Sequence, residues 1–268
     1  MHILLLAATI LVSDARVNQE LERLGTVQAQ LEKAELPEML KGETKTTREV
    51  LATALKSQAP IVRLYRLRNA YIYIETLRYV DEHEAAAESF EKLQAFWSAR
   101  KPEPVMVAQG PLLETALVQA SVNRAEVLYR ASLPYGKVSG ALSGLYYLAE
   151  ADANASFAQL VRSMTAGDAE APPTEAKLRG TLEAMEKEML AAFGKDPVGR
   201  PVIGVSVRLK EARELLDRGS LSGATLLLLE ARRSLERVTA NPYPMPEGIL
   251  TGPMAALWSA LAEEEVKK

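Results

Sequence analysis

Between Thr225 and Leu229 the chain reads TLLLL inside a stretch whose apolar residues recur at helical spacing, and no other segment restricts the fold as strongly. A helix that is apolar around most of its circumference needs other helices against more than one side. The flanking pattern supplies the nearest of them. Val205, Leu209, Ala212 and Leu216 recur on one helix, and Leu221, Ala224, Leu228, Ala231 and Leu235 recur on the next. Arg218, Gly219 and Ser220 make a tight turn between them, so residues 201–239 read as an antiparallel helical hairpin at the centre of the fold.

The remaining segments read as further helices. Residues 16–36 place Val17, Leu21, Leu24, Val27 and Leu31 on one face. Pro37 and Gly42 interrupt that helix, and Thr46 or Thr47 can cap a shorter one bearing Val50, Leu51 and Leu55. Pro60 suits the first position of a helix over 60–80 with Tyr65, Tyr71, Tyr73 and Tyr79 along it. A polar turn at 81–84 leads to a partner helix ending near Ala99, with Ala86, Phe90, Leu93 and Phe96 or Trp97 inward. The KPEPV segment at 101–105 is the best candidate for a subdomain boundary, dividing hairpins over 16–100 from hairpins and a cap over 105–268 within one continuous domain.

A third hairpin is expected from helices over 111–133 and 139–164, turned at 134–136. A loop over 165–173 precedes a helix over 174–193 with Leu178, Leu182, Met185 and Met189 inward. The proline-rich NPYPMPEG segment must be extended, and a last helix with Met254, Leu257, Trp258 and Leu261 packs back as a cap. The one rival for a strand, PVIGVSV at 201–207, has no partner. The expected fold is therefore all-α: stacked antiparallel helical hairpins, as an irregular α-solenoid or a multi-helix bundle, with a C-terminal capping helix.

At the amino terminus, Ile3 to Val12 is a short apolar run followed by Ser13, Asp14 and Ala15, a pattern read as an export signal over 1–15. It is too short to span a bilayer, so the expectation is a periplasmic or secreted protein with no membrane span in the mature chain. The alternative is a buried first helix in a cytoplasmic protein.

Several chemistries are excluded or lack a marker. The chain has no cysteine, which removes disulfides, thiolate metal sites and cysteine nucleophiles. With 32 basic and 35 acidic residues the formal charge is -3, which gives no global reason to expect nucleic acid. His83 and His2 are the only histidines, and the neighbours in DEHE do not point at one centre on a helix, so His83 reads as a solvated cap and no metal site is expected. SGALSG around Ser143 is not a nucleophile elbow, and neither GKVSG nor GRPVIG has phosphate-loop spacing. No catalytic residue and no cofactor is assigned.

The turns of the hairpins carry a recurrence. Gly136, Val138, Ser139, Gly140 and Ala141 match Gly219, Leu221, Ser222, Gly223 and Ala224, and Leu145 and Leu148 follow at the offsets of Leu228 and Ala231. Asp81, Ala86, Phe90 and Leu93 form a looser copy. A glycine ending one helix, a serine capping the next and a small alanine at the contact give the pattern its physics. It resembles the second half of a tetratricopeptide repeat. The copies begin at Asp81, Gly136 and Gly219 rather than at a regular period near 34, so the resemblance implies an irregular solenoid whose first helices line a concave partner-binding surface.

Charged residues on apolar stripes nominate a site. Arg63, Arg66, Arg68 and Arg78 interleave with tyrosines on one helix; Arg68 falls on the stripe Ile61, Leu64, Tyr71, Glu75, and Arg124 on the stripe Leu113, Leu117, Ala120, Leu128. A charge so placed is either paired or functional. One reading is an internal pair, Arg68 with Glu75 and Arg124 with Glu126. The other is a groove in which Arg68, Asn69, Asn123 and Arg124, with Tyr71 and Glu75 beside them, hold a partner's acidic group. The function expected from the second is an exported, non-enzymatic helical-repeat scaffold binding a protein or peptide in the cell envelope. The alternative is an all-α enzyme or small-ligand binder with an enclosed polar pocket built around Arg68, Tyr71, Glu75 and Arg124. A purely structural bundle is the third reading.

Overall fold

A computed structural model of the chain describes residues 2–100, 110–165, 167–194, 199–239, 245 and 248–266, with the side chains of 2–13, 39, 200, 201, 265 and 266 outside the description. The described residues form ten α-helices and two short 3-10 turns, and no strand among them, as the periodicity leads one to expect. They are α1 (His2–Leu31), α2 (Glu43–Lys56), α3 (Pro60–Glu82), α4 (Phe90–Ser98), α5 (Leu112–Ser139), α6 (Ala141–Met164), α7 (Glu175–Phe193), α8 (Arg200–Asp217), α9 (Leu221–Thr239) and α10 (Gly252–Val266). The chain divides into two compact units, one of Met1–Met106 with Arg124–Ala166, the other of Val107–Asn123 with Gly167–Lys268. The first unit thus reaches past the KPEPV segment, which itself lies outside the described residues, to take in α6 and the second half of α5.

In the first unit α3 is the axis, packed by α1, α2 and α6. Val62, Leu67, Ala70, Ile74, Leu77 and Val80 point into these neighbours and are fully buried or nearly so. The helix α1 presents Val17, Leu21, Leu24, Val27 and Leu31, the face its periodicity marks, but it ends at Leu31 rather than near Leu36. Pro37 holds extended backbone there, and Leu36 and Leu40 tuck in after the helix. Its backbone is helical without a break from His2 through the segment read as an export signal.

Three boundaries differ from expectation. The helix α2 opens at Glu43, and Thr47 is an interior residue whose hydroxyl donates to the Thr44 carbonyl, so neither threonine caps it; Leu55 is left exposed. After α3 the chain makes a 3-10 turn at Glu84–Ala87, and the partner helix starts only at Phe90, where the Ser89 hydroxyl accepts the Lys92 N–H. Last, α5 runs straight through Pro134 and Gly136; the break is at Gly140, whose φ of 97° favours glycine. Gly136 is spent on packing instead, since the α5 and α6 backbones meet at Gly136 and Gly144.

In the second unit α9 is the centre. Thr225, Leu226, Leu227, Leu228 and Leu229 are all buried, and α7 and α8 pack on it. The α8–α9 turn falls where the sequence puts it. The Ser220 N–H donates to the Leu215 carbonyl (2.8 Å) and the Gly219 N–H to the Leu216 carbonyl (3.0 Å), a Schellman closure that needs the positive φ of Gly219. PVIGVSV is the first part of α8, not a strand. Met254, Leu257 and Leu261 of α10 are buried as a cap requires, and NPYPMPEG lies largely outside the described residues. The start of α9 comes so close to α5 that the Gln119 side-chain carbonyl accepts the Gly223 N–H at 2.7 Å. The glycines matched by the recurrence differ in role: Gly219 ends a helix, whereas Gly136 lies inside one.

Candidate functional site: a charged ladder and an aromatic cage

Of the residues nominated from sequence, Arg68, Glu75 and Asn123 are buried, Tyr71 and Arg124 are part-buried, and Asn69 is exposed. Tyr71 and Glu75 come together, one turn apart on α3. Arg124 pairs instead with Glu150 of α6, at 3.1 Å. Asn123 belongs to the other unit. The other arginines of α3 serve as ties: Arg63 donates to Asp14, Asn18 and the Ser57 carbonyl, and Arg66 to the Thr53 carbonyl and the Ser57 hydroxyl. Tyr71 and Glu75 thus share α3, and Arg124 is tied to α6.

A row of charges in the first unit centres on Glu75. One carboxylate oxygen accepts Arg23 of α1 at 2.5 Å and the other accepts Arg78 at 2.6 Å. Arg23 also binds Glu20, and Arg78 also binds Glu82. The result is a ladder Glu20–Arg23–Glu75–Arg78–Glu82 across α1 and α3. Its middle carboxylate is 6% exposed while both arginines are 42% exposed, so the ladder is rooted in the core and open at the surface. Burial alone would lower the Arg23 pKa, but the hydrogen bonds to Glu20 and Glu75 outweigh it and raise the value. The Arg23 guanidinium also lies 5.7 Å from the Tyr71 ring centroid, and Tyr71 packs on Phe157 of α6. Burial, and then the Glu75 charge, push the Tyr71 hydroxyl up to about 12.

A second group adjoins the ladder at the end of α3. His83 is the C-cap of α3, as expected, but it is half-buried: its ring stacks on Tyr79 at 4.4 Å and meets Phe96 of α4 edge-on at 5.1 Å. Arg100 closes the group, with its guanidinium carbon 4.2 Å from the Phe96 centroid and 5.5 Å from that of Tyr79. It donates to the Tyr79 hydroxyl (3.1 Å) and to His83 Nε2 (3.0 Å). Because Nε2 must then accept, the imidazole proton sits on Nδ1, which donates to the Tyr79 carbonyl at 2.9 Å. Asp152 of α6 senses both groups. Burial raises its pKa, while Arg100 and Arg78 oppose the rise and Glu75 adds to it.

Sequence reasoning named Tyr71, Glu75 and Arg78 but missed Arg23, Arg100 and Asp152. Arg23 and Glu75 are 52 positions apart, and no local signal joins them. Among the described residues no group of three or more histidines and carboxylates is placed to hold a metal, and no helix is long and apolar enough to cross a membrane. The chain matches no family model, no curated protein and no solved structure.

Proposed function

We propose that this protein is a helical scaffold that binds a protein or peptide partner through the α1–α3–α6 face of its first unit, and that residues 1–15 direct its export. The observation that supports recognition over an enclosed pocket is the exposure gradient of the ladder: a buried Glu75 holds two arginines that are 42% exposed. Charges fixed in place at a surface lose little freedom on binding and set partner orientation. The tie to α1 keeps the row from rearranging.

The test is in-cell crosslinking of the full-length tagged protein beside a Glu20→Gln, Glu82→Gln double variant, which changes the ends of the ladder and spares Glu75. One protein is expected to be captured by the wild type and lost with the variant, whose circular dichroism is unchanged. Absence of a specific partner, or retention of every partner by the variant, overturns the reading. For export, the protein recovered from the envelope is expected to begin near Arg16, and a Met1 terminus there removes the signal.

A further inference from the structure

The outer face of the α7–α8 pair carries one order of side chains twice. On α7, Glu183, Lys187 and Leu190 recur at helical spacing, and on α8, read from its C-terminal end, Glu214, Lys210 and Val207 recur at the same spacing, with Ile203 one turn beyond. Two ion pairs cross between the helices in reversed order, Glu186 with Arg213 at 2.6 Å and Arg179 with Asp217 at 3.1 Å, so the pair is antiparallel and its register is fixed. Carried along the helices, that register sets Leu190 level with the turn that holds Val207, Lys187 with the turn that holds Lys210, and Glu183 with the turn that holds Glu214. The face is thus three level rows, apolar, basic and acidic, about one helical turn apart.

The apolar row is open. Leu190 is 49% exposed, Ile203 50% and Val207 38%, whereas Met185 and Leu209, on the inner faces of the same helices, are buried, and both helices pack on α9. In the charged rows Glu183, Lys187 and Lys210 are exposed and Glu214 is half-buried. Setting like charges level across the seam does nothing to hold α7 on α8. The ties between the helices are Glu186–Arg213 and Arg179–Asp217 instead.

We infer that this face is a docking surface for an amphipathic helix of a partner protein, laid along the α7–α8 seam and carrying apolar, acidic and basic side chains on successive turns. The seam between two antiparallel helices accepts a third, and a helix repeats its side chains at the one-turn spacing of the rows. Its apolar turn covers Leu190, Ile203 and Val207, its acidic turn meets Lys187 and Lys210, and its basic turn meets Glu183 and Glu214. A second copy of the same face cannot match all three rows. Turned antiparallel, it sets basic rows on acidic ones only by parting the apolar rows, and apolar row on apolar row only by leaving the charges unmatched. An anionic lipid surface is repelled by the acidic row. The surface lies wholly in the second unit and does not depend on the ladder of the first.

The experiment uses the purified full-length protein and two labelled, stapled helical peptides. One carries leucines, glutamates and lysines on three successive turns; the other has the glutamates and lysines exchanged. By fluorescence anisotropy the first is expected to bind about tenfold tighter than the second. Ile203→Asp and, separately, Leu190→Asp should each weaken its binding about tenfold. The Lys187→Glu, Lys210→Glu double variant should bring the two peptides level, because each then has one matched row and one opposed row. All four positions are exposed, and circular dichroism and thermal melting check that each variant stays folded. Equal affinity of the wild type for the two peptides, binding of neither, or binding untouched by both apolar substitutions overturns the inference. Sedimentation velocity and cosedimentation with phosphatidylcholine–phosphatidylglycerol vesicles test the other occupants: a dimer, or vesicle binding, that Ile203→Asp abolishes reassigns the face and overturns the inference likewise. None of these measurements involves the ladder, so their failure leaves the scaffold reading to its own crosslinking test.

Discussion

Gly144 stands against Gly136 so closely that a Cβ added to Gly144 would lie 2.7 Å from the Gly136 Cα and 2.8 Å from the Ser132 carbonyl oxygen. Both obstacles are backbone, which cannot swing aside as a side-chain tip can. Gly144→Ala must therefore push α6 off α5 and is expected to cost about 2–3 kcal/mol, read as a lower urea midpoint with an unchanged slope. Gly180 of α7 offers the control, because nothing lies within 4 Å of its added Cβ. Gly180→Ala is expected to gain about 0.5–1 kcal/mol from helix propensity alone. If both substitutions behaved alike, the α5–α6 contact would not be as close as described.

Tyr71 gives a test at alkaline pH. Its hydroxyl is held up at about 12 against an ordinary 10.0, first by burial and then by the Glu75 charge. The folded state keeps this proton where the unfolded chain releases it, so stability falls as pH rises from about 10 toward about 12. The loss amounts to at most about 2–3 kcal/mol. Tyr71→Phe removes the titrating group, and its urea midpoint is expected to decline less than that of the wild type over the same range. Parallel curves would remove Tyr71 from the buried side of the ladder.

How much of this was legible beforehand depends on how local the cause is. The TLLLL segment and the Gly219 turn were readable because helix period and a left-handed cap are written in consecutive residues. The α5–α6 turn was misplaced because Pro134 and Gly136 look like breakers. Whether a glycine serves a turn, as Gly140 does, or a close contact, as Gly136 does, is decided by the neighbouring helix. The buried charge on α3 was readable as a demand for partners, but which partners meet it was not. Arg23 reaches Glu75 across 52 positions. The buried Arg232, paired with Glu188 of α7, was missed for the same reason.

Breaking the ladder at its root should cost more than trimming its ends. Glu75→Gln leaves Arg23 and Arg78 facing a neutral amide at a buried position, while each arginine side chain is still 42% exposed. That geometry sets the expected loss at about 1–3 kcal/mol, below that of a fully buried pair. Glu20→Gln, by contrast, is expected to change stability by less than about 1 kcal/mol. The same Glu75→Gln variant should lower the Tyr71 pKa, since the Glu75 charge is one of its causes. Chemical denaturation and spectrophotometric tyrosine titration read the two effects separately.

At the start of α5 two carboxylates meet, and their sign of action on stability is fixed by which one is raised. The Glu170 side chain accepts the Leu112 N–H at 3.1 Å, capping the helix, and Glu114 lies in the first turn. Burial first, and then repulsion from Glu170, lift the Glu114 pKa above its ordinary 4.5, against a bond from its own N–H that lowers it. The folded state therefore binds this proton more tightly than the unfolded chain does. By linkage the Glu114 contribution to stability is most favourable below about pH 4.5 and is lost as pH rises through the raised value. Glu114→Gln keeps the shape without the charge, so it is expected to melt above the wild type at neutral pH. The gap should close as pH falls below about 4.5, where the wild-type carboxyl is protonated in both states. Thermal melts of the two proteins across that range decide the matter: a gap that stays constant, or that widens toward acid, would mean that Glu114 ionises in the folded state without penalty.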